Sequence, residues 1–250
     1  MIVLVVLFVL FLFMILGYPH SQKFKHEKYT HRGLHTQNQS VRENSLDAFK
    51  QAIEKGYGIE LDVQLSKDFE VVVYHDFNLL RLDKLDTKVF DLNLADLNQY
   101  NIPTLQEVLD LVDGQVELII ELKADKNRNK LSECVLSILK TYQGPYCVES
   151  FDPRIVYYFR KNAPTMKRGQ LIMPVQKYDN KVVGFIVNSL LYQFLTRPHF
   201  LAINVDNTRV NPMIKLNQLI GVESCLWTVH QNHKTDYGWV DATIFEYFDA

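Results

Sequence analysis

Gly58-Ile-Glu-Leu-Asp62 and Ile119-Ile-Glu-Leu-Lys123 are the stretches whose reading decides the fold. On a β-strand, side chains two apart point the same way. Glu60 therefore shares a face with Asp62, and Glu121 with Lys123, while Ile59, Leu61, Ile120 and Leu122 take the opposite face. Those aliphatic residues need cover, which helices supply in a parallel sheet. The carboxylates then look into whatever the sheet encloses.

Working outward, the first stretch extends to a strand over Gly58–Gln64 and the second to one over Val116–Glu121. Further β-branched and aromatic runs predict strands at Val71–Tyr74, Tyr146–Phe151, Gly169–Met173, Phe200–Asn204, Ser224–Val229 and Ala242–Phe245, with a short one ending at His31. Helical periodicity fills the gaps. Ser45–Lys55 sets Leu46, Phe49, Ala52 and Ile53 on one face, and Gly56 stands where a C-terminal cap belongs. Pro103–Val112 places Pro at the first helical position; Leu131–Leu139 and Pro153–Lys161 repeat the pattern. This alternation predicts an α/β fold, a somewhat irregular (β/α)8 TIM barrel, with a doubly wound open sheet as the alternative. Nine strand candidates compete for eight places. The link from Gln64 to Val71 is also too short for a crossover helix, so a strand there leaves the pattern or turns back as a hairpin.

The chain has 250 residues, 47% hydrophobic and 22% charged, which marks it as globular. A net charge of −2 lacks the basic footprint of a nucleic-acid binder. Cys134, Cys147 and Cys225 are scattered and odd in number, as buried thiols are. Met1–Leu16 is entirely apolar, near the lower limit of about 17 residues for a bilayer crossing. With no basic residue before it and no small-residue cleavage site after it, the run reads as a single-pass membrane anchor over 1–18; a cleaved signal is the alternative. A polar tether over 19–28 and a domain over 29–250 follow. Lys23, Lys25, Lys28 and Arg32 place that domain on the cytoplasmic side. Val182–Leu195 is apolar but too short to span a bilayer; it reads as a packed barrel helix or a membrane-facing lip.

Chemistry concentrates at strand ends. Glu60 and Asp62 side by side in a barrel repel each other, and a divalent cation removes that cost. Their oxygen chemistry suits Mg²⁺ or Ca²⁺, and no thiolate set for zinc or copper is present. Glu121 either completes that site or forms a buried ion pair with Lys123, which is also placed to meet an anionic substrate. His31-Arg32-Gly33 closes the first strand and His75-Asp76 follows another; in a barrel such ends converge on one face. Two imidazoles there suit a cleavage in which one group takes a proton and another supplies one. Arg32 offers a planar fork to phosphate oxygens, and Gly33 permits a tight turn. His20, His26, His35 and His199 read as surface residues.

The ordered set His31-Arg32-Gly33, Glu43-Asn44-Ser45, Gly58–Gln64, Val72-Val-Tyr-His-Asp76, Ile102-Pro-Thr-Leu105, Ile120-Glu-Leu-Lys123, Glu149-Ser-Phe151 and Trp227-Thr-Val229 resembles the glycerophosphodiester phosphodiesterase family, from His31 to about Phe245. The resemblance implies a barrel of the phosphatidylinositol phospholipase C-like type. It implies Mg²⁺ or Ca²⁺ at Glu60, Asp62 and Glu121, His31 and His75 as acid and base, and Arg32 and Lys123 on the phosphate. It also implies Glu43 near the site and Trp227 lining the pocket. The reaction implied is hydrolysis of a glycerophosphodiester to glycerol 3-phosphate and an alcohol. Lysophospholipase D action on a lysophospholipid and a non-catalytic membrane-tethered binding module are the alternatives. Arg42 in place of a proline, His230 in place of an asparagine, the short segment after Asp76 and the Thr243–Tyr247 ending depart from the family pattern.

Overall fold

The computed structural model describes residues 1–207, 212–232 and 238–250. In chain order its elements are α1 (Ile2–Ile15), β1 (Lys28–His31), α2 (Leu46–Glu54), β2 (Gly58–Leu65), β3 (Val71–Val73), α3 (Leu80–Asp83), α4 (Leu94–Leu97), α5 (Leu105–Val112) and β4 (Leu118–Leu122). Then come α6 (Arg128–Leu139), β5 (Tyr146–Ser150), α7 (Pro153–Asn162), β6 (Arg168–Ile172), α8 (Lys181–Ser189), α9 (Gln193–Thr196), β7 (Phe200–Asn204), α10 (Pro212–Leu219), β8 (Glu223–Val229) and β9 (Ala242–Phe245).

Parallel pairing runs β1, β2, β4, β5, β6, β7, β8, β9 and returns to β1, closing the barrel that the alternation predicts. The ninth strand, β3, turns back on the end of β2, with Val63 opposite Val73 and Leu65 opposite Val71. Of the two outcomes that the short link allows, the chain takes the hairpin. It leads into a side lobe of short helices packed around Val72, Tyr74, Leu79, Val89, Leu97 and Ile102.

Two apolar layers hold the barrel. Outside, Ile59, Leu61, Ile120 and Leu122 pack under helices with Phe49, Leu105, Val108 and Val135. Inside, Tyr29, Ile119, Cys147, Leu171, Phe200 and Cys225 fill the lumen. Gly169 is required here, because the Phe200 ring lies where its Cβ would stand. The segment read as a tether docks across the N-terminal ends of the strands. Phe24 lies 5.0 Å from Phe200, with Lys167 Nζ 3.6 Å above its ring and Glu223 2.8 Å from that ammonium. The barrel is thus plugged at one end.

Local signals set the helix starts. Ser45 Oγ accepts from the Ala48 amide. In α5 the expected proline start gives way to a capping box: Thr104 and Glu107 bond reciprocally, so the helix begins at Leu105 and Pro103 stays outside.

Three expectations need correction. The first is the membrane anchor over 1–18. Its helix, α1, has 14 residues and ends at Ile15, where Leu16 turns extended. At about 1.5 Å per residue it reaches about 21 Å, short of a hydrocarbon core of about 30 Å. No helix among the described residues is long and apolar enough to cross a membrane. The helix stops because its end is tied to the barrel. Ile15 is buried with Ile172, Leu201, Ile214 and Val222, and Asn217 donates to the Ile15 carbonyl (3.0 Å) and accepts from the Gly17 amide (2.6 Å). The second is the reading of Val182–Leu195 as a packed helix. Leu190 adopts a left-handed conformation that splits the run into α8 and α9, and Val182 and Phe185 are each 68% exposed. The third concerns His35 and His199, which are buried rather than on the surface.

Asn217 also donates to the Met213 carbonyl (2.8 Å), so one amide joins the N-terminal arm to α10. Asn217→Ala is expected to destabilise the protein by about 2–3 kcal/mol, since buried donors and acceptors lose their partners. Urea denaturation measures the loss, and limited proteolysis before Pro19 should accelerate.

Candidate active site

The open end of the barrel gathers the charged faces of β1, β2 and β4. After β1 the chain turns sharply. Arg32 has φ 57° and Gly33 φ 80°, and a Cβ on Gly33 would stand 2.8 Å from that of Ala48. The turn aims the Arg32 amide at Glu60 Oε2, 3.0 Å away. Register then sets the acids: Asp62 is opposite Glu121 on β4. Ligand oxygens of Glu60, Asp62 and Glu121 lie within 4.8 Å of one another, and all three residues are buried.

The surrounding groups show how this much charge is tolerated. Lys123 Nζ donates to Asp62 Oδ1 and Glu121 Oε1, both at 2.9 Å. Arg32 Nε lies 3.2 Å from Asp62 Oδ2, and Asn44 Nδ2 donates to the same oxygen at 2.9 Å. Burial works to raise Asp62, but Lys123, His75 and Arg32 outweigh it and hold its carboxyl well below the usual range. Glu60 goes the other way: burial, then the Asp62 and Glu121 carboxylates, push it well up. Glu121 is raised by burial despite Lys123. Oxygen donors this close, with Glu60 left uncompensated, are the set that a hard divalent cation fits.

Each histidine has one ring nitrogen tied to a carboxylate. His75 Nδ1 lies 2.6 Å from Asp76 Oδ1, and Arg81 Nε donates to Asp76 Oδ2 at 2.6 Å. His31 Nδ1 lies 3.1 Å from Glu246 Oε1, an oxygen that His35 Nε2 also meets at 3.1 Å. The other nitrogen, His31 Nε2, is 4.0 Å from Glu60 Oε2. Burial, with Arg32 beside it, pushes His31 down to about 4.

His31, Arg32, Glu60, His75, Glu121 and Trp227 line one cavity of about 320 Å³. Phe151, Leu171, Met173 and Ile244 form its apolar wall, with Phe151 and Trp227 edge to face at 5.5 Å. Asp62 and Lys123 are not part of this lining; Lys123 joins Asp62 to the lining residue Glu121. Glu43 is 3% exposed, and its oxygens are held by Arg32 (2.9 Å), Arg81 (2.6 and 2.8 Å) and Gln39 (3.3 Å); of these only Arg32 lines the cavity, so Glu43 acts on it through Arg32.

The sequence reading missed Glu246, Asp76, Arg81 and His35 as parts of the site. Asp76 and His35 stood beside or near motif residues. Glu246 had only its place after the last strand as a signal, and its contact with His31 spans 215 positions of sequence.

The pattern that describes the Glycerophosphoryl diester phosphodiesterase family matches residues 31–246. A glycerophosphodiester phosphodiesterase of Caldanaerobacter subterraneus subsp. tengcongensis is 33% identical over 159 residues, 56% of this chain and 64% of that one. This match thus spans just under two thirds of that relative's length. The crystal structure of a glycerophosphodiester phosphodiesterase from Thermotoga maritima superposes with a TM-score of 0.69 at 28% identity, covering 90% of this chain and 96% of that one. An Oleispira antarctica phosphodiesterase, solved in complex with the product sn-glycerol-3-phosphate, shares the fold with a TM-score of 0.69 at 21% identity, covering 90% and 94%.

Lys123 is a fixed cation between two buried acids. Lys123→Met is expected to cost about 3–5 kcal/mol in urea denaturation with chelator present, because it strands two buried carboxylates. Added Ca²⁺ or Mg²⁺ should recover part of the loss.

Proposed function

Because the chain belongs to the glycerophosphoryl diester phosphodiesterase family, we propose that it hydrolyses glycerophosphodiesters to glycerol 3-phosphate and a small alcohol at the open end of the barrel. The observation that carries this reading is one cavity lined by two carboxylate-tethered histidines, an arginine and the edge of a buried acidic trio. The cavity, about 320 Å³, is the size for a small diester. The product named for the Oleispira enzyme has the same glycerol phosphate half.

The phosphodiester carries negative charge into a site that already holds buried acids. Glu60, Asp62 and Glu121 would hold a divalent cation, Mg²⁺ or Ca²⁺, and that ion supplies charge neutralisation at the phosphoryl oxygens. Arg32 and Lys123 add fixed positive charge on the same side, aimed by Glu43 and Asp62. Asp76 and Glu246 fix the rings of His75 and His31 through Nδ1 and leave each Nε2 for proton transfer. One imidazole takes the proton of the attacking hydroxyl, and the other protonates the departing alcohol oxygen. The Phe151, Leu171, Met173 and Trp227 wall receives the carbon skeleton.

Purified protein with glycerophosphocholine tests the reading. EDTA is expected to abolish release of glycerol 3-phosphate, and Mg²⁺ or Ca²⁺ to restore it. Glu60→Gln should behave like chelation, and His75→Ala should lower kcat by about 10²–10⁴-fold. Full turnover in EDTA, or in the His75→Ala variant, would contradict the mechanism.

A further inference from the structure

We propose that Glu149 is a fourth carboxylate of the cation site and biases it toward Ca²⁺. This rests on the reading that Glu60, Asp62 and Glu121 hold a divalent cation. Glu149 lies on β5 in register with Glu121 on β4, so the two side chains enter the barrel next to each other. It is 2% exposed and belongs to the wall of the same cavity. Its Oε2 is buried and has no hydrogen-bond partner.

An open oxygen there is costly, because a buried polar group without a partner loses its hydration and gains nothing back. At the other end of the barrel one buried carboxylate is satisfied. Glu117, at the plugged end, is held by the Tyr29 hydroxyl and by the Lys25 amide at 2.7 Å. The two cations nearest the trio are already engaged: Lys123 with Asp62 and Glu121, Arg32 with Glu43 and Asp62. On the lumen side Glu149 meets an apolar interior that includes Cys147, Leu171 and Cys225. Among the described residues no cationic side chain is bonded to Glu149, and a cation held by the trio, which includes its strand neighbour Glu121, would supply that charge.

The ligand chemistry gives the bias its direction. Ca²⁺ gathers about six to eight oxygen ligands in flexible geometry, while Mg²⁺ demands a near-octahedral shell and keeps several waters. A further carboxylate, engaged directly or through one bound water, adds charge and a ligand that the larger ion uses more fully. Glu149 lies outside the trio whose oxygens fall within 4.8 Å of one another. It therefore supports the site from the neighbouring strand.

Calorimetric titration of CaCl₂ and MgCl₂ into the metal-freed full chain tests this without reference to turnover. Glu149→Gln keeps the shape and removes the charge. It is expected to weaken Ca²⁺ binding about 10–100-fold, the usual effect of removing a supporting group, and to weaken Mg²⁺ binding less. Glu149→Asp, which keeps the charge on a shorter arm, should recover part of the affinity, and it carries the test if the Gln variant fails to fold. Wild-type affinity for both ions in Glu149→Gln, alongside lost binding in Glu60→Gln, would overturn the proposal and leave the trio standing. No binding by the wild-type chain, with Glu60→Gln unchanged from it, would overturn the proposal together with the reading beneath it.

Discussion

Carboxylates buried together repel one another, and water is not there to screen them. At the mouth of this barrel Glu60, Asp62, Glu121 and Glu149 are all withdrawn from solvent. Lys123 and Arg32 are the fixed cations against them, and the surrounding structure serves to hold those two in place. Lys123 bridges Asp62 and Glu121, which aligns β2 with β4. Arg32 is held from behind by Glu43, and Glu43 in turn by Arg81. The imbalance left at Glu60 and Glu149 is what a divalent cation, as proposed, would offset.

The same network positions the two histidines. His75 and Arg81 come from the irregular part of the barrel, the β3 hairpin and the short helix after it. That lobe is fastened to the chain just before α2. Arg42 makes a two-pronged pair with Asp83, 2.7 Å on each arm, and Tyr74 donates to the same carboxylate at 3.1 Å. The fastening keeps Arg81 within reach of both Asp76 and Glu43. The opposite end of the barrel is sealed by Phe24 over Phe200.

Period-two alternation made much of this legible in advance. A strand with Glu60 and Asp62 on one face and Ile59 and Leu61 on the other has few ways to be buried, so barrel, strand faces and acidic trio all follow from it. Loop length alone marked the Gln64–Val71 link as irregular, either a strand leaving the pattern or a hairpin, and the antiparallel β2–β3 pairing selects the hairpin. What stayed hidden depends on distant parts of the chain meeting. Glu246 reaches His31, His35 is buried by that same carboxylate, and Asn217 ends a helix that begins some 200 positions earlier. Local pattern misled where it was strongest. Met1–Leu16 is uniformly apolar, and its length in a single helix was set by tertiary hydrogen bonds that hydropathy does not register. In Val182–Leu195, likewise, the left-handed turn at Leu190 broke an apolar run into two short helices.

The central claim is that the buried acids form a cation site beside the two histidines. Anomalous diffraction from crystals soaked in Mn²⁺ tests it most directly, because the ion can be located without any assay. A single strong peak is expected among the oxygens of Glu60, Asp62 and Glu121, lost in crystals of a Glu60→Gln variant. No peak there, or ordered Mn²⁺ only elsewhere on the protein, would contradict it.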